Sequence, residues 1–254
     1  MDEKLNAILQ RIDSRHLAKL WSFYRDYFKN DEECLQFVLD SIRQEPVYNQ
    51  QDKIDKYLEH FSDDNYSDPD DRFFIPRRMM NCVQRMVSAA RDMEQIRQGM
   101  DIFKIVFLVT CVETLQKLSG HDGKKKDMLF DFFLTYTSEN DKNYIRAHFA
   151  HGTWGLYDDE DSFEQFVGVL NEYRNCAAHE GEYWDYCFNN DSEQTPVSIF
   201  VKIDLEKYSS KNKKVIVFET TLSYWKFEAI FIRTCIEFIR RYVAGQEEKQ
   251  NADA

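Results

Sequence analysis

Apolar residues recur at helical spacing over long stretches of this chain, and little interrupts them: only 8 Gly and 4 Pro occur in 254 residues. These two residues end helices and build tight turns, so their scarcity favours long packed elements over loop-rich or disordered architecture. With 43% hydrophobic and 15% aromatic residues, core material is ample, and a chain of this length buries about 70–75% of its unfolded surface. It reads as one large domain or two small ones, mainly helical.

Helical spacing runs through Leu5, Ile8, Leu9, Ile12, Leu17, Leu20, Trp21, Tyr24 and Phe28, and a second amphipathic run covers 34–42. A third pattern, 54–61, ends in a polar, acidic, Pro-containing stretch, Ser62-Asp-Asp-Asn-Tyr-Ser-Asp-Pro-Asp-Asp71. Residues 1–62 are therefore expected to form an N-terminal helical region and 63–76 a linker. Its oxygens do not make an EF-hand, because Asp68 stands where that loop needs Gly and Phe74 where it needs Glu. Further helical patterns follow at 77–98, 102–119, 126–137 and 141–149, then a Gly-containing loop at 151–155.

The next helix has capping-box spacing in Ser162 and Gln165, an apolar stripe of Phe163, Phe166, Val167, Leu170, Tyr173 and Ala177, and Gly181 as a stop. The period then changes. Segments 197–203 and 215–221 are short, β-branched and partly alternating, which predicts a hairpin inserted at about 196–221. A last amphipathic helix, 224–243, carries Phe227, Ile230, Phe231, Cys235, Phe238 and Ile239, and the polar 246–254 is expected to be a disordered tail. The fold class is mainly α: a helical bundle over 77–245 with an inserted β-hairpin and an N-terminal helical extension.

Six cysteines (34, 82, 111, 176, 187, 235) are scattered without a CxxC pair, which fits buried thiols of a reducing compartment. No charged-then-apolar leader opens the chain, and the most apolar run, 102–112, holds Lys104 and is too short to cross a bilayer. The expectation is a cytoplasmic protein with no membrane partner. A formal charge of -12 argues against broad electrostatic binding of nucleic acid, so any such site must be local. Positive charge does gather at Arg77, Arg78, Arg85, Arg91 and Arg97, at Lys124, Lys125 and Lys126, and around 202–214.

Chemistry is best represented in Asn171-Glu-Tyr-Arg-Asn-Cys-Ala-Ala-His-Glu-Gly181. Asn175 and His179 are four apart and share a helical face, with Arg174 one position round, so a guanidinium, an amide and an imidazole converge on one phosphate-sized group. The bland alternative makes Arg174 an ordinary ion-pairing residue, with Glu172 or Glu180 nearby, and His179 a helix-terminal cap. His148 and His151, with Cys187 or Asp158, match no zinc spacing, so no metal or other cofactor is expected. Neither GxGxxG, a P-loop, a nucleophile elbow nor HExxH is present. Ser119-Gly-His121 reads as a turn.

Arg174, four intervening residues and His179, with the polar Asn175 directly after the Arg, resemble the motif of the HEPN superfamily, whose nuclease members carry it late in a helical bundle. The resemblance covers the C-terminal two-thirds of the chain; the N-terminal helices and the hairpin lie outside the common core. It implies an endoribonuclease that needs no metal, with Arg174, Asn175 and His179 catalytic and 2',3'-cyclic phosphate and 5'-OH ends as products. Imidazole titrates near neutrality, which suits His179 to move the 2'-OH proton. The Arg174 fork would stabilise the phosphoryl charge by about 3 kcal/mol. The family also implies a homodimer that pairs two motifs in one cleft, and toxin, phage-defence or CRISPR-linked settings with a cognate antitoxin or regulatory protein. RNA is then the partner, with Lys124, Lys125, Lys126, Tyr183 and Trp184 as candidate contacts, the aromatic residues by stacking on bases. The alternative function is a non-catalytic HEPN-like module that binds a partner protein or nucleotide.

Overall fold

A computed structural model describes residues 14–42, 74–96, 100–151, 162–180, 188–189, 197–203 and 214–252. The chain is mainly helical, as its periodicity predicts, and it divides into two compact units: residues 1–81 with 239–254, and residues 82–238. The expected helix at 54–61, the acidic linker and the start of the first helical run lie outside the described residues.

In the first unit, α1 (Ser14–Tyr24) and α2 (Asp31–Asp40) bury Leu17, Leu20, Tyr24, Cys34, Phe37 and Val38. Helix α2 begins earlier than its apolar run, because Asn30 caps it: the side-chain oxygen accepts from the Glu33 N–H at 2.9 Å, and Asp31, Glu32 and Glu33 fill the first turn. Residues 75–81 of α3 (Ile75–Ile96) complete the layer, with the Tyr24 hydroxyl donating to the Met80 carbonyl at 2.9 Å.

The second unit is built round α4 (Asp101–Leu118). Its buried Ile102, Ile105, Leu108, Val109, Cys111, Val112 and Leu115 leave little polar face, as expected of a helix enclosed by others. Helices α5 (Lys125–Tyr136) and α7 (Ser162–Asn175) pack against it, and α6 (Glu139–His148) packs against α7. Helix α6 starts at Glu139, ahead of its apolar pattern, because Ser138 caps it. Aromatic rings knit the layers: Phe132 lies 5.5 Å from Phe238, Phe166 lies 5.2 Å from Phe227, and Phe188 stacks on Phe227 at 5.5 Å.

The expected hairpin is present as β2 (Val197–Ile203) and β3 (Lys214–Thr220), antiparallel with Val197 opposite Thr220 and Ile203 opposite Lys214. A third strand was not foreseen. β1 (Phe149–His151) pairs with the other edge of β3 in the order β1-β3-β2, where the sequence reading ends a helix at Phe149 and begins a loop at His151. Three residues show no period. What makes them a strand is β3 alongside, Phe149 stacking on Phe218 at 5.1 Å, and the Thr221 N–H reaching the His148 carbonyl at 2.9 Å.

The last helix, α8 (Tyr224–Ala252), also departs from expectation, since it runs through Gly245, whereas the sequence predicts a disordered tail from 246. A mid-helix glycine costs only about 1 kcal/mol. Gln246-Glu-Glu-Lys-Gln250 are strong helix formers, and extending an existing helix needs no new nucleus.

No helix among the described residues is long and apolar enough to cross a membrane. The described cysteines are free thiols: Cys34, Cys111 and Cys235 are buried, and Cys82 and Cys176 half-buried. Burial pushes the Cys34 thiol up to about 12. A hydrogen bond with Cys111, 3.9 Å away, together with burial raises Cys82, and burial raises Cys111.

Candidate active site

Helix α7 carries the motif, and of its expected stripe Phe163, Phe166, Val167, Leu170 and Tyr173 are buried, while Ala177, on the π turn that follows, is half-buried. Val169, Gln165, Asn171 and Arg174 are buried as well, so α7 is enclosed on more than one side. That enclosure places the Arg174 guanidinium inside the protein, with the residue 8% exposed.

Such a cation needs compensation, and its partner comes from α4. The Arg174 Nη2 group pairs with Glu113 Oε1, and Nη1 donates to the Asn175 side-chain oxygen at 2.9 Å. The other Glu113 oxygen lies 3.5 Å from Lys125 Nζ on the first turn of α5. One carboxylate thus serves two cations from two other helices. The pair with Arg174 is well shielded, at 10% and 12% side-chain exposure, while Lys125 is 56% exposed and contributes a weak, solvated contact.

His179, unlike Arg174, is exposed. At Cys176–Glu180 the α-helix gives way to a π turn, a widened geometry with i→i+5 bonding that recurs at functional sites. The sequence reading assumes a regular α-helix up to Gly181, in which Asn175 and His179 share a face. The π turn replaces that geometry: Asn175 is half-buried beside Arg174, and His179 is exposed. Gly181, Tyr183 and Trp184 lie outside the described residues.

Lys124, Lys125 and Lys126 are all exposed, and Lys125 alone of the three is tied to the motif. Lys126 instead lies over the Phe130 ring at 5.6 Å. Of the acids named as local partners for Arg174, Glu172 takes a hydrogen bond from Asn171 at 3.5 Å. Glu113 has no local signature in the sequence, and only the packing of α4 on α7 brings it to the arginine.

A second, partly buried polar cluster has no signature in the sequence. Asp101 accepts from the Phe188 N–H at 2.7 Å and pairs with Lys104 at 2.8 Å; Lys104 also pairs with Glu94 and lies 4.5 Å from the centre of the Tyr224 ring. Burial alone would lower Lys104, but hydrogen bonds to Asp101 and Glu94 outweigh it and hold the ammonium above its ordinary value. Nearby on the same helices, Arg91 donates twice to one oxygen of the buried Glu228, at 3.0 and 2.7 Å. Each charge has an opposite partner, which makes this cluster a lock between helix ends.

His148 bonds Thr221 at 2.7 Å and packs on Tyr144 at 4.3 Å. Cys187 and Asp158 lie outside the described residues, and among those described no three His, Cys, Asp or Glu side chains gather as metal ligands. In the other unit a groove of about 300 Å³, lined by Glu33, Asp40 and Arg240, contains none of the motif residues. Compared with protein families, characterised proteins and solved structures, the chain matches none.

Proposed function

We propose that the protein is an endoribonuclease that cleaves RNA without a metal, by attack of a ribose 2'-OH on the adjacent phosphate. The observation that supports this reading is that one short segment carries a buried Arg174, oriented by two partners, and an exposed His179 on the π turn that follows. In the reaction, His179 takes the 2'-OH proton, the 2'-oxygen bonds to phosphorus, and the bond from phosphorus to the 5'-oxygen breaks. The 5'-oxygen takes a proton from a second imidazole, leaving a 2',3'-cyclic phosphate and a 5'-OH. Arg174 stabilises the charge that grows on the phosphoryl oxygens, because its planar fork is held in place before the substrate arrives.

One chain supplies one His179, so the general acid comes from a second copy in a two-fold dimer. A toxin or defence role, with a protein that restrains the nuclease, belongs to the same reading. The competing reading is a non-catalytic module that binds a protein or nucleotide, and one observation favours it: both hydrogen bonds described for Arg174 are internal, as in a structural arginine.

The deciding experiment incubates labelled RNA with wild type, His179→Ala and Arg174→Ala in the presence of EDTA. Cleavage by wild type, with cyclic-phosphate ends and a loss of about 100-fold or more in His179→Ala, is the expected result. Equal cleavage by the variants, or cleavage abolished by the chelator, refutes the mechanism.

A further inference from the structure

Glu113 is an anion held between two cations. One of its oxygens is on the Arg174 guanidinium, and the other is 3.5 Å from the Lys125 ammonium. A phosphodiester has the same pair of equivalent anionic oxygens, and arginine and lysine are the side chains that hold them, the first by its fork and the second as a point charge. We propose that the Glu113 carboxylate occupies the phosphodiester subsite of this centre, so that a nucleic-acid phosphate binds between Arg174 and Lys125 by displacing it. The choice of nucleic acid as ligand rests on the ribonuclease reading above; the displacement rests on the geometry.

Three features carry the argument. Nη1 of Arg174 is committed to Asn175 and Nη2 to Glu113, and the residue is only 8% exposed, so an incoming anion meets a guanidinium already engaged. Glu113 and a phosphate cannot share the position, because two anions in a shielded site repel strongly. Exchange of one for the other keeps the buried arginine compensated throughout, which avoids the large cost of an unpaired buried cation.

The two other groups are suited to an exchange. Lys125 is 56% exposed and its contact with Glu113 is long, so its flexible stem can meet a phosphate before Glu113 leaves. Glu113 keeps 12% side-chain exposure, which gives the displaced carboxylate an outlet to water. The subsite therefore favours a chain of phosphates, whose other contacts help to drive the exchange, over a single free anion.

The test is fluorescence anisotropy with a short labelled oligoribonucleotide in which every 2'-OH is methylated, so that attack by the 2'-oxygen is impossible. Glu113→Gln is expected to bind on the order of tenfold more tightly than wild type, since it keeps the shape and removes the competing charge. Glu139→Gln makes the same charge change at a side chain that is 71% exposed on α6, and is expected to stay within about twofold of wild type. Lys125→Ala is expected to bind more weakly, and to shrink the gain from Glu113→Gln when the two are combined.

Affinity equal to or below that of wild type in folded Glu113→Gln overturns the proposal, since it makes Glu113 a support for Arg174. Should that variant not fold, Glu113→Asp withdraws the carboxylate from both cations and is expected to bind more tightly too; unchanged or weaker affinity there overturns the proposal equally. Tighter binding without any cleavage of ordinary RNA by wild type leaves the subsite standing and removes the ribonuclease reading. Cleavage with no gain in Glu113→Gln does the reverse.

Discussion

Arg174 and His179 belong to one short segment and live in opposite environments. The arginine is 8% exposed and paired with Glu113, and the histidine is open to solvent on the π turn. Their substitutions therefore separate stability from chemistry. Arg174→Ala leaves the shielded Glu113 with the long Lys125 contact and is expected to cost about 3 kcal/mol of stability, while His179→Ala is expected to fall within about 0.5 kcal/mol of wild type. Urea denaturation of both checks this, and comparable losses would count against the burial assigned to the two residues. Spacing in the sequence marks Arg174, Asn175 and His179 as candidates. It could not single out Glu113, which reads as one of several polar positions in its helix and meets Arg174 across 61 residues of chain.

At the scale of elements, helix starts and stops follow local chemistry unevenly. Gly120 ends α4 with φ +88 in a Schellman arrangement: the His121 N–H reaches the Gln116 carbonyl at 2.9 Å and the Gly120 N–H reaches Lys117 at 3.0 Å. Gly245 looks similar in sequence and does the opposite, lying inside α8 with open space where a Cβ would stand. Gly120→Ala is accordingly expected to destabilise by about 1–2 kcal/mol, and Gly245→Ala to stabilise by about 0.5–1 kcal/mol. Chemical denaturation reads both, and a gain in Gly120→Ala would show that the left-handed cap is absent. Capping explains why α2 and α6 start ahead of their apolar patterns. β1 had no local signal, because its conformation comes from pairing with β3, 67 residues on at the closest partners.

Across the second unit, the cluster of the buried Asp101, Lys104, Glu228 and Tyr224 with the half-buried Glu94 and Arg91 ties the end of α3 to the starts of α4 and α8. Burial first, and Glu228 next, raise Tyr224, and Lys104 is raised as well. The sign follows directly: both contributions are fully present below the ordinary values of 10.0 and 10.5 and are lost as pH rises through the higher folded values. Stability is expected to fall on the alkaline side of pH 10, and Tyr224→Phe to make that fall shallower in urea titrations at stepped pH. An unchanged alkaline slope would mean that Tyr224 is not sheltered from ionisation.

The mainly helical class, the stripes that became the core of α4, α7 and α8, the hairpin, and the segment that carries a guanidinium, an amide and an imidazole are legible in the sequence alone. Those features are local: periodicity, β-branching and spacing act within a few residues of chain. Tertiary structure decided the partners. The packing of α4, α5 and α7 brings Glu113 between Arg174 and Lys125 and shields the Arg174 pair, and β3 gives β1 a strand to join. Charge pairing and strand pairing depend on distance in space, which a chain acquires only when its helices have packed.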